Sequence, residues 1–322
     1  VTTQQNIDEL RAYKNAVRTH RRRPDEPPRV LYSPQWYAAG AAGGLLALLA
    51  LRAGGVRAAG LLGLLGLLGA GYAAGVEPAR PWLRHLSLEL PDLPHALDGL
   101  RVGQLSDLHL GKRYSEANAR RGVEWMRRER PDLIVITGDL VSYEHAIERI
   151  APLLRNLRAP LGVYAVPGNH DYMEGMEAVT RELASIGIPM LLNEHRRLEW
   201  RGGELWLLGV DDVWEGVADL GAALEGVPES GWKLLLSHVP DFVDEAAKHG
   251  IDLQLSGHTH GGHLRLPVIG PFTLPRYGVR YPYGLLQVGG TRLYVTGGLA
   301  GIPLRFYCPP EATIITLRTC KS

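Results

Sequence analysis

The sequence predicts an α/β domain with a two-sheet core covered by helices, preceded by a helical membrane anchor. Three observations predict it. Three units of apolar strand, polar turn and helix follow one another from Leu100, the second half is rich in short strands, and two uncharged apolar runs precede both. At 322 residues with 45% hydrophobic content, the chain can bury one large core or two modest ones. A formal net charge of +1 supplies no global field, so no nucleic-acid partner is expected. Cys308 and Cys320 are the two cysteines, which rules out a disulfide framework and a thiolate metal cluster and leaves packed or idle thiols.

Residues 1–34 form a basic arm carrying Arg11, Lys14, Arg18, Arg21, Arg22, Arg23 and Arg29, with prolines at 24, 27 and 28. A short helix followed by an extended stretch is expected there. Residues 35–76 are the anchor: Trp36 to Leu51 is one apolar run and Ala58 to Val76 a second, each close to the roughly 17 to 25 residues that cross a bilayer. Gly60, Gly63, Gly66 and Gly69 would let two helices approach closely. A cleaved signal fits poorly, because a long polar arm precedes the first run. Two spans would put the arm and everything after Val76 on one side, and the basic arm makes that side the cytoplasm. One span with an interfacial segment would turn the remainder outward instead.

The boundary falls at Glu77-Pro78-Ala79-Arg80-Pro81, and residues 82–322 form the α/β domain. Leu86 to Leu90 alternates as a strand. Leu100 to Leu105 leads into Ser106-Asp107-Leu108-His109, and a helix bearing Val123, Trp125 and Met126 follows. Leu133 to Ile136 ends in Thr137-Gly138-Asp139, a helix runs through Ile147 and Leu154, and Leu161 to Val166 ends in Pro167-Gly168-Asn169-His170-Asp171. Further strands are expected at Leu205–Val210, Lys233–Leu236, Leu253–Leu255, Leu293–Thr296 and Thr313–Leu317. Two of them run into histidines, at Ser237-His238 and at Gly257-His258-Thr259-His260. In alternating strand-end positions Asp107 and His109 would point one way, as would His258 and His260. With Asp139, Asn169 and His238 they make a mixed nitrogen and oxygen donor set that suits Mn²⁺, Fe or Zn²⁺ in a reactive rather than a structural site.

The ordered series Asp107-Leu-His109, Gly138-Asp139, Gly168-Asn169-His170-Asp171, His238 and Gly257-His258-Thr-His260 resembles the signature of the calcineurin-like metallophosphoesterases over Leu86 to Leu317. The resemblance implies a four-layer α/β/β/α sandwich and a centre of two divalent metal ions, with Mn first and Zn or Fe as alternatives. It implies that Asp107, His109, Asp139 and His260 hold one ion and Asp139, Asn169, His238 and His258 the other. His170 would stand near the leaving oxygen as proton donor, oriented by Asp171.

Gly261-Gly262-His263, Gly297-Gly298 and Leu304-Arg305 look like the bacterial membrane-anchored branch, where glutamine often stands at the position of His263. That likeness implies a phosphodiesterase anchored in a bacterial inner membrane and acting on a phosphorylated small molecule or lipid such as UDP-2,3-diacylglucosamine, and the basic arm predicts its catalytic domain in the cytoplasm. Arg276 and Arg280, in the aromatic loop Phe272 to Tyr283, and Arg305 are the candidate phosphate contacts. Asp211-Asp212 reads as a turn or helix cap. The alternatives are a phosphodiesterase of soluble or cell-wall substrates and a membrane-bound scaffold that keeps the fold without turnover.

Overall fold

A computed structural model describes residues 30–32, 35–266 and 268–320. The basic arm therefore lies outside the described residues, apart from β1 (Val30–Tyr32). Two stacked sheets form the centre. The first has the order β2 (Trp82–Leu90), β15 (Glu311–Thr319), β3 (Arg101–Leu105), β4 (Leu133–Thr137), β5 (Val163–Val166). In it β15 is antiparallel to β3, and the other neighbours are parallel. The second has the order β13 (Gly284–Val288), β14 (Thr291–Val295), β9 (Leu253–Ser256), β8 (Lys233–Leu236), β7 (Gly203–Gly209), β6 (Glu194–Trp200), parallel inside and antiparallel at both edges.

Strand alternation sorts the core into layers. Val102, Leu133, Val135 and Ile315 meet Leu207, Leu234, Leu255 and Tyr294 between the sheets. The opposite faces of β4 and β5, through Ile134, Ile136 and Ala165, pack under Val123 and Met126 of the helix Ser115–Glu129 and Val179 and Leu183 of the helix Met176–Ser185. Trp206, Leu208 and Leu235 take the helix Leu220–Leu224 on the far side of the second sheet. The result is the four-layer α/β/β/α sandwich, with the mouths of β3, β4, β5, β8 and β9 gathered at one end.

Several local expectations change. The strand expected from Leu161 starts at Val163, because Gly162 turns there with φ 102°. Strands β6 and β13 were not foreseen: both are sheet edges with exposed faces, so β6 alternates around charged residues and buries Leu198 and Trp200. The aromatic loop after the histidine pair contains β12 (Thr273–Pro275), which pairs antiparallel with β1.

The two apolar runs form one helical segment, Gln35–Gly75, interrupted at Gly55 (φ 65°, ψ −161°). Among the described residues one helix, Gly54–Ala79, is long and apolar enough to cross a membrane, where two were expected. Among the described residues the apolar stretch ahead of the Gly54-Gly55 break is Ala42–Arg52. The end of the segment is fixed to the domain. The Arg305 N–H donates to the Ala73 carbonyl at 2.8 Å, and the Glu77 carboxylate accepts the N–H groups of Tyr307 (3.1 Å) and Cys308 (2.6 Å).

Candidate metal centre

Each polar group of the centre comes from a loop that follows a strand. Main-chain bonds lace those loops together: Asp107 N–H to Gly138 O (3.0 Å), His109 N–H to Asp139 O (3.0 Å), Gly257 N–H to His238 O (3.0 Å). Asp107, His109, Asp139, His258 and His260 all have positive φ, between 43° and 71°. Their convergence is therefore the work of left-handed turns beyond the strand ends, in place of the strand alternation expected. Such conformations cost energy for residues with a Cβ and persist only where the surroundings hold them. Glycine makes the close approaches possible. A Cβ on Gly168 would lie 2.3 Å from Asp139 Oδ1, and one on Gly257 would lie 2.0 Å from Ser106 Oγ.

Ligand atoms of Asp107, His109, Asp139 and His260 all lie within 4.8 Å of one another, and all four residues are buried. Asp139 Oδ2 is 3.4 Å from His109 Nε2 and 3.4 Å from His238 Nε2, so one carboxylate oxygen lies between two groups of donors. His238 Nε2 is 3.2 Å from His258 Nδ1. The far ring nitrogens are spoken for: His238 Nδ1 donates to Thr137 O at 2.7 Å and His258 Nε2 to Arg276 O at 2.7 Å. Those bonds turn His238 Nε2 and His258 Nδ1 inward, which is how second partners orient imidazoles for a metal. Asn169 Oδ1 is buried with no hydrogen-bond partner. An orphaned acceptor beside buried carboxylates and inward-facing imidazoles fits divalent cations, since each atom would otherwise bear an uncompensated burial cost.

The electrostatics agree. Burial, reinforced by the charge of Asp139, pushes the Asp107 carboxyl up to about 6. Burial opposes ionisation of Asp139, yet His238 and His109 hold it well below the usual carboxylate range. Burial pushes His109 and His260 down and takes His258 to about 3, so these rings are neutral and able to donate electron pairs. Burial also lifts Asp171 and Asp212 to about 7.

These shifts set the pH response of the metal-free protein. A carboxyl that holds its proton more tightly when folded contributes stability while protonated and loses it as pH rises through the folded value. Asp171 and Asp212 therefore cost stability as pH passes about 7. His238, raised to about 10 by Asp139 against the effect of burial, acts in the same direction. The lowered histidines act below their unfolded value of about 6.5 and are silent above it. In chelator, the Tm is expected to fall between pH 6.5 and pH 8, and saturating Mn²⁺ is expected to remove most of that fall. Equal metal-free Tm values at the two pH values would mean that the buried carboxyls ionise normally.

A cleft of about 250 Å³ opens over the centre. His170 lines it, with its ring edge-on to His109 at 4.8 Å between centroids and its main-chain N–H donating to Asp139 Oδ1 at 2.9 Å. Asp171 does not orient that ring. Its carboxylate accepts the main-chain N–H groups of Gly168 (3.0 Å) and Leu140 (2.8 Å), clamping the loop after β5 to the loop after β4.

The arginines expected at the substrate stand elsewhere. Arg305 is buried, and its guanidinium donates to the carbonyls of His260, Gly297, Cys308 and Ala300, so it braces the loop that carries His260. Arg280 is exposed and paired with Asp244. Arg276 is buried, with its guanidinium over the Tyr277 ring and its carbonyl fixing His258. None of the three lines the cleft.

Lys112 and Trp214 do line it, and neither was foreseen. Lys112 follows His109 by three residues, which was the available signal. Trp214 sits in the turn after Asp211-Asp212, where Asp212 Oδ1 accepts the N–H groups of Trp214 (2.9 Å) and Glu215 (2.7 Å), as a turn residue should. Its ring meets His258 edge-on at 5.8 Å. His263, buried beside the same cleft, stacks on His260 at 4.6 Å.

Comparison with known proteins places this geometry. The family profile described as "Calcineurin-like phosphoesterase" matches residues 100–262. An uncharacterized metallophosphoesterase of Bacillus subtilis, YkuE, is 34% identical over 257 residues, covering 77% of this chain and 90% of that protein. The phosphodiesterase YaeI of Escherichia coli is 31% identical over 220 residues, covering 66% and 80%. A "Transmembrane protein with metallophosphoesterase domain" of Danio rerio is 34% identical over 254 residues, covering 72% of this chain but only 57% of its own length.

Proposed function

From its membership of the calcineurin-like phosphoesterase family, we propose that this chain, a metal-dependent hydrolase, cleaves a phosphodiester or pyrophosphate bond beside a membrane. The observation that carries the reading is Asp139 Oδ2 at 3.4 Å from imidazole nitrogens on both sides, the position of a carboxylate shared by two ions. Asp107, His109, Asp139 and His260 would hold the first ion, and Asp139, Asn169, His238 and His258 would hold the second. Mn²⁺ is the metal of choice for this mixed donor set, with Zn²⁺ or Fe as alternatives.

When bound, a pair of divalent ions supplies activation of water and charge compensation for the phosphoryl oxygens. The chain's own residues do the rest. Lys112 brings a cation to the cleft wall for a non-bridging phosphoryl oxygen. His170, tied through its N–H to Asp139, keeps a buried Nδ1 without a partner and meets the leaving oxygen. Asp171 and Arg305 hold the loops in register and touch no substrate.

The attachment of Gly54–Ala79 favours a lipid-linked nucleotide such as UDP-2,3-diacylglucosamine. Arg305 bonds the Ala73 carbonyl through its N–H and the His260 carbonyl through its guanidinium, so this one residue ties the candidate span to the loop of His260. The β1–β12 pairing sets the chain ahead of the apolar segment against the catalytic domain, so both ends of Gln35–Gly75 lie at that domain. Arg80 and Arg84 after the segment, with the basic arm before it, support the cytoplasmic side of a bacterial inner membrane.

Full-length protein with Mn²⁺ is expected to hydrolyse bis-p-nitrophenyl phosphate, and UDP-2,3-diacylglucosamine faster than p-nitrophenyl phosphate. A preference for water-soluble diesters over the lipid would move the substrate to the soluble class. Two bound ions with no turnover on any of the three would favour a scaffold.

A further inference from the structure

A second cleft, of about 640 Å³, lies where the apolar helix meets the catalytic domain. Tyr72 from the helix, Arg80, Trp82 and Arg84 from the segment after it, and Tyr307 from the loop before β15 line this cleft. Trp82 and Tyr307 are each 65% exposed and Tyr72 42%, a cluster of wet aromatic rings at one end of a candidate span. Rings with an apolar body and a polar edge collect at the headgroup level of bilayers.

The cleft's charges divide into spent and available. Glu77 and Glu311 line it but are buried and engaged. Glu77 accepts the N–H groups of Tyr307 and Cys308. Glu311 accepts the Tyr283 hydroxyl (2.9 Å) and the Gly297 N–H (2.9 Å), and it pairs with Arg84 at 3.6 Å. Arg84 still has 39% of its side chain exposed. Arg80 is exposed and has no carboxylate partner among the described residues. Arg121 donates to the Ala79 carbonyl at 3.0 Å and brings a third guanidinium to the junction.

We propose that this cleft binds the phosphate headgroup of an anionic phospholipid, with Arg80 and the open side of Arg84 as its cationic contacts and Trp82 and Tyr307 flanking it. Guanidinium forks match phosphate oxygens, and basic residues next to a span attract anionic lipid. Tyr72 makes the cleft continuous with the helix, which selects a lipid over a free anion. The inference rests on the reading that Gly54–Ala79 is embedded in a bilayer.

The test uses the full-length protein in uncharged detergent micelles doped with phosphatidylglycerol or phosphatidylcholine, read by native mass spectrometry and by Tm. Phosphatidylglycerol is expected to be retained at one per chain and to raise the Tm, while phosphatidylcholine and inorganic phosphate are expected to do neither. Arg80→Glu is expected to weaken that retention by about tenfold or more while leaving turnover of bis-p-nitrophenyl phosphate intact. Equal retention of phosphatidylcholine, the same Tm rise with inorganic phosphate alone, or undiminished retention in Arg80→Glu would each overturn the proposal. Alkaline carbonate extraction of membranes separates the two readings. Release of both wild type and variant would remove the embedded helix and this proposal with it. Membrane retention of both, with phosphatidylglycerol binding unchanged in the variant, would overturn the cleft alone.

Discussion

Asp139→Ala is expected to lower turnover of bis-p-nitrophenyl phosphate by at least about a thousandfold and to leave less than one divalent ion per chain. No other group in the centre has its position. Its Oδ2 faces His109 and His238 at 3.4 Å each, so removing it deprives both donor groups of their common oxygen. Its Oδ1 accepts the His170 N–H, so the loop after β5 also loses an anchor. Asp139→Asn keeps the volume and that hydrogen bond but removes the charge that holds the neighbouring imidazoles in place. Metal analysis of both variants, with circular dichroism to verify folding, checks the expectation. Two retained ions and near-normal turnover in either folded variant would show that Asp139 is not shared.

His170→Ala is expected to keep both ions and lose activity. The expected loss with an alkyl phosphodiester is about 10²- to 10⁴-fold, the range of a positioned proton donor. A p-nitrophenyl diester should suffer far less, because nitrophenolate leaves without a proton. Burial lowers the His170 pKa against the pull of Asp139, so proton donation competes with a neutral ring near pH 7. Comparison of leaving groups therefore reads its role more directly than a pH profile on one substrate. Equal losses on both substrates would assign His170 to phosphate positioning. Loss of metal in step with activity would make it part of the ion site.

Much of this protein is legible in its sequence because apolar strands ending in polar turns announce themselves locally. The runs at Leu133–Ile136, Lys233–Leu236 and Leu253–Leu255 fold as expected, and the loops after them supply Asp139, His238, His258 and His260. Strands β6 and β13 escape that reading because they are sheet edges: β6 is mostly charged and buries only Leu198 and Trp200, while β13 is short and buries no residue fully. The apolar segment is equally visible in composition. Its division at Gly55 depends on a single backbone conformation that a glycine permits without requiring.

The arginines show the opposite limit. A guanidinium serves a phosphate, a carboxylate or a row of carbonyls equally well, and sequence spacing does not say which is nearest. Arg305 meets four carbonyls and becomes a brace, Arg280 meets Asp244, and Lys112 lines the cleft that they were expected to reach. Asp171 likewise clamps two main-chain loops rather than orienting the adjacent ring.

By itself the sequence determined the α/β class, the family and the donor types of the centre, since each is written in residue identity and short-range order. Only the tertiary structure decided which polar groups face one another. That choice rests on left-handed turns at Asp107, Asp139 and His258, and on contacts between loops far apart in the chain, where position in space outweighs neighbourhood in sequence.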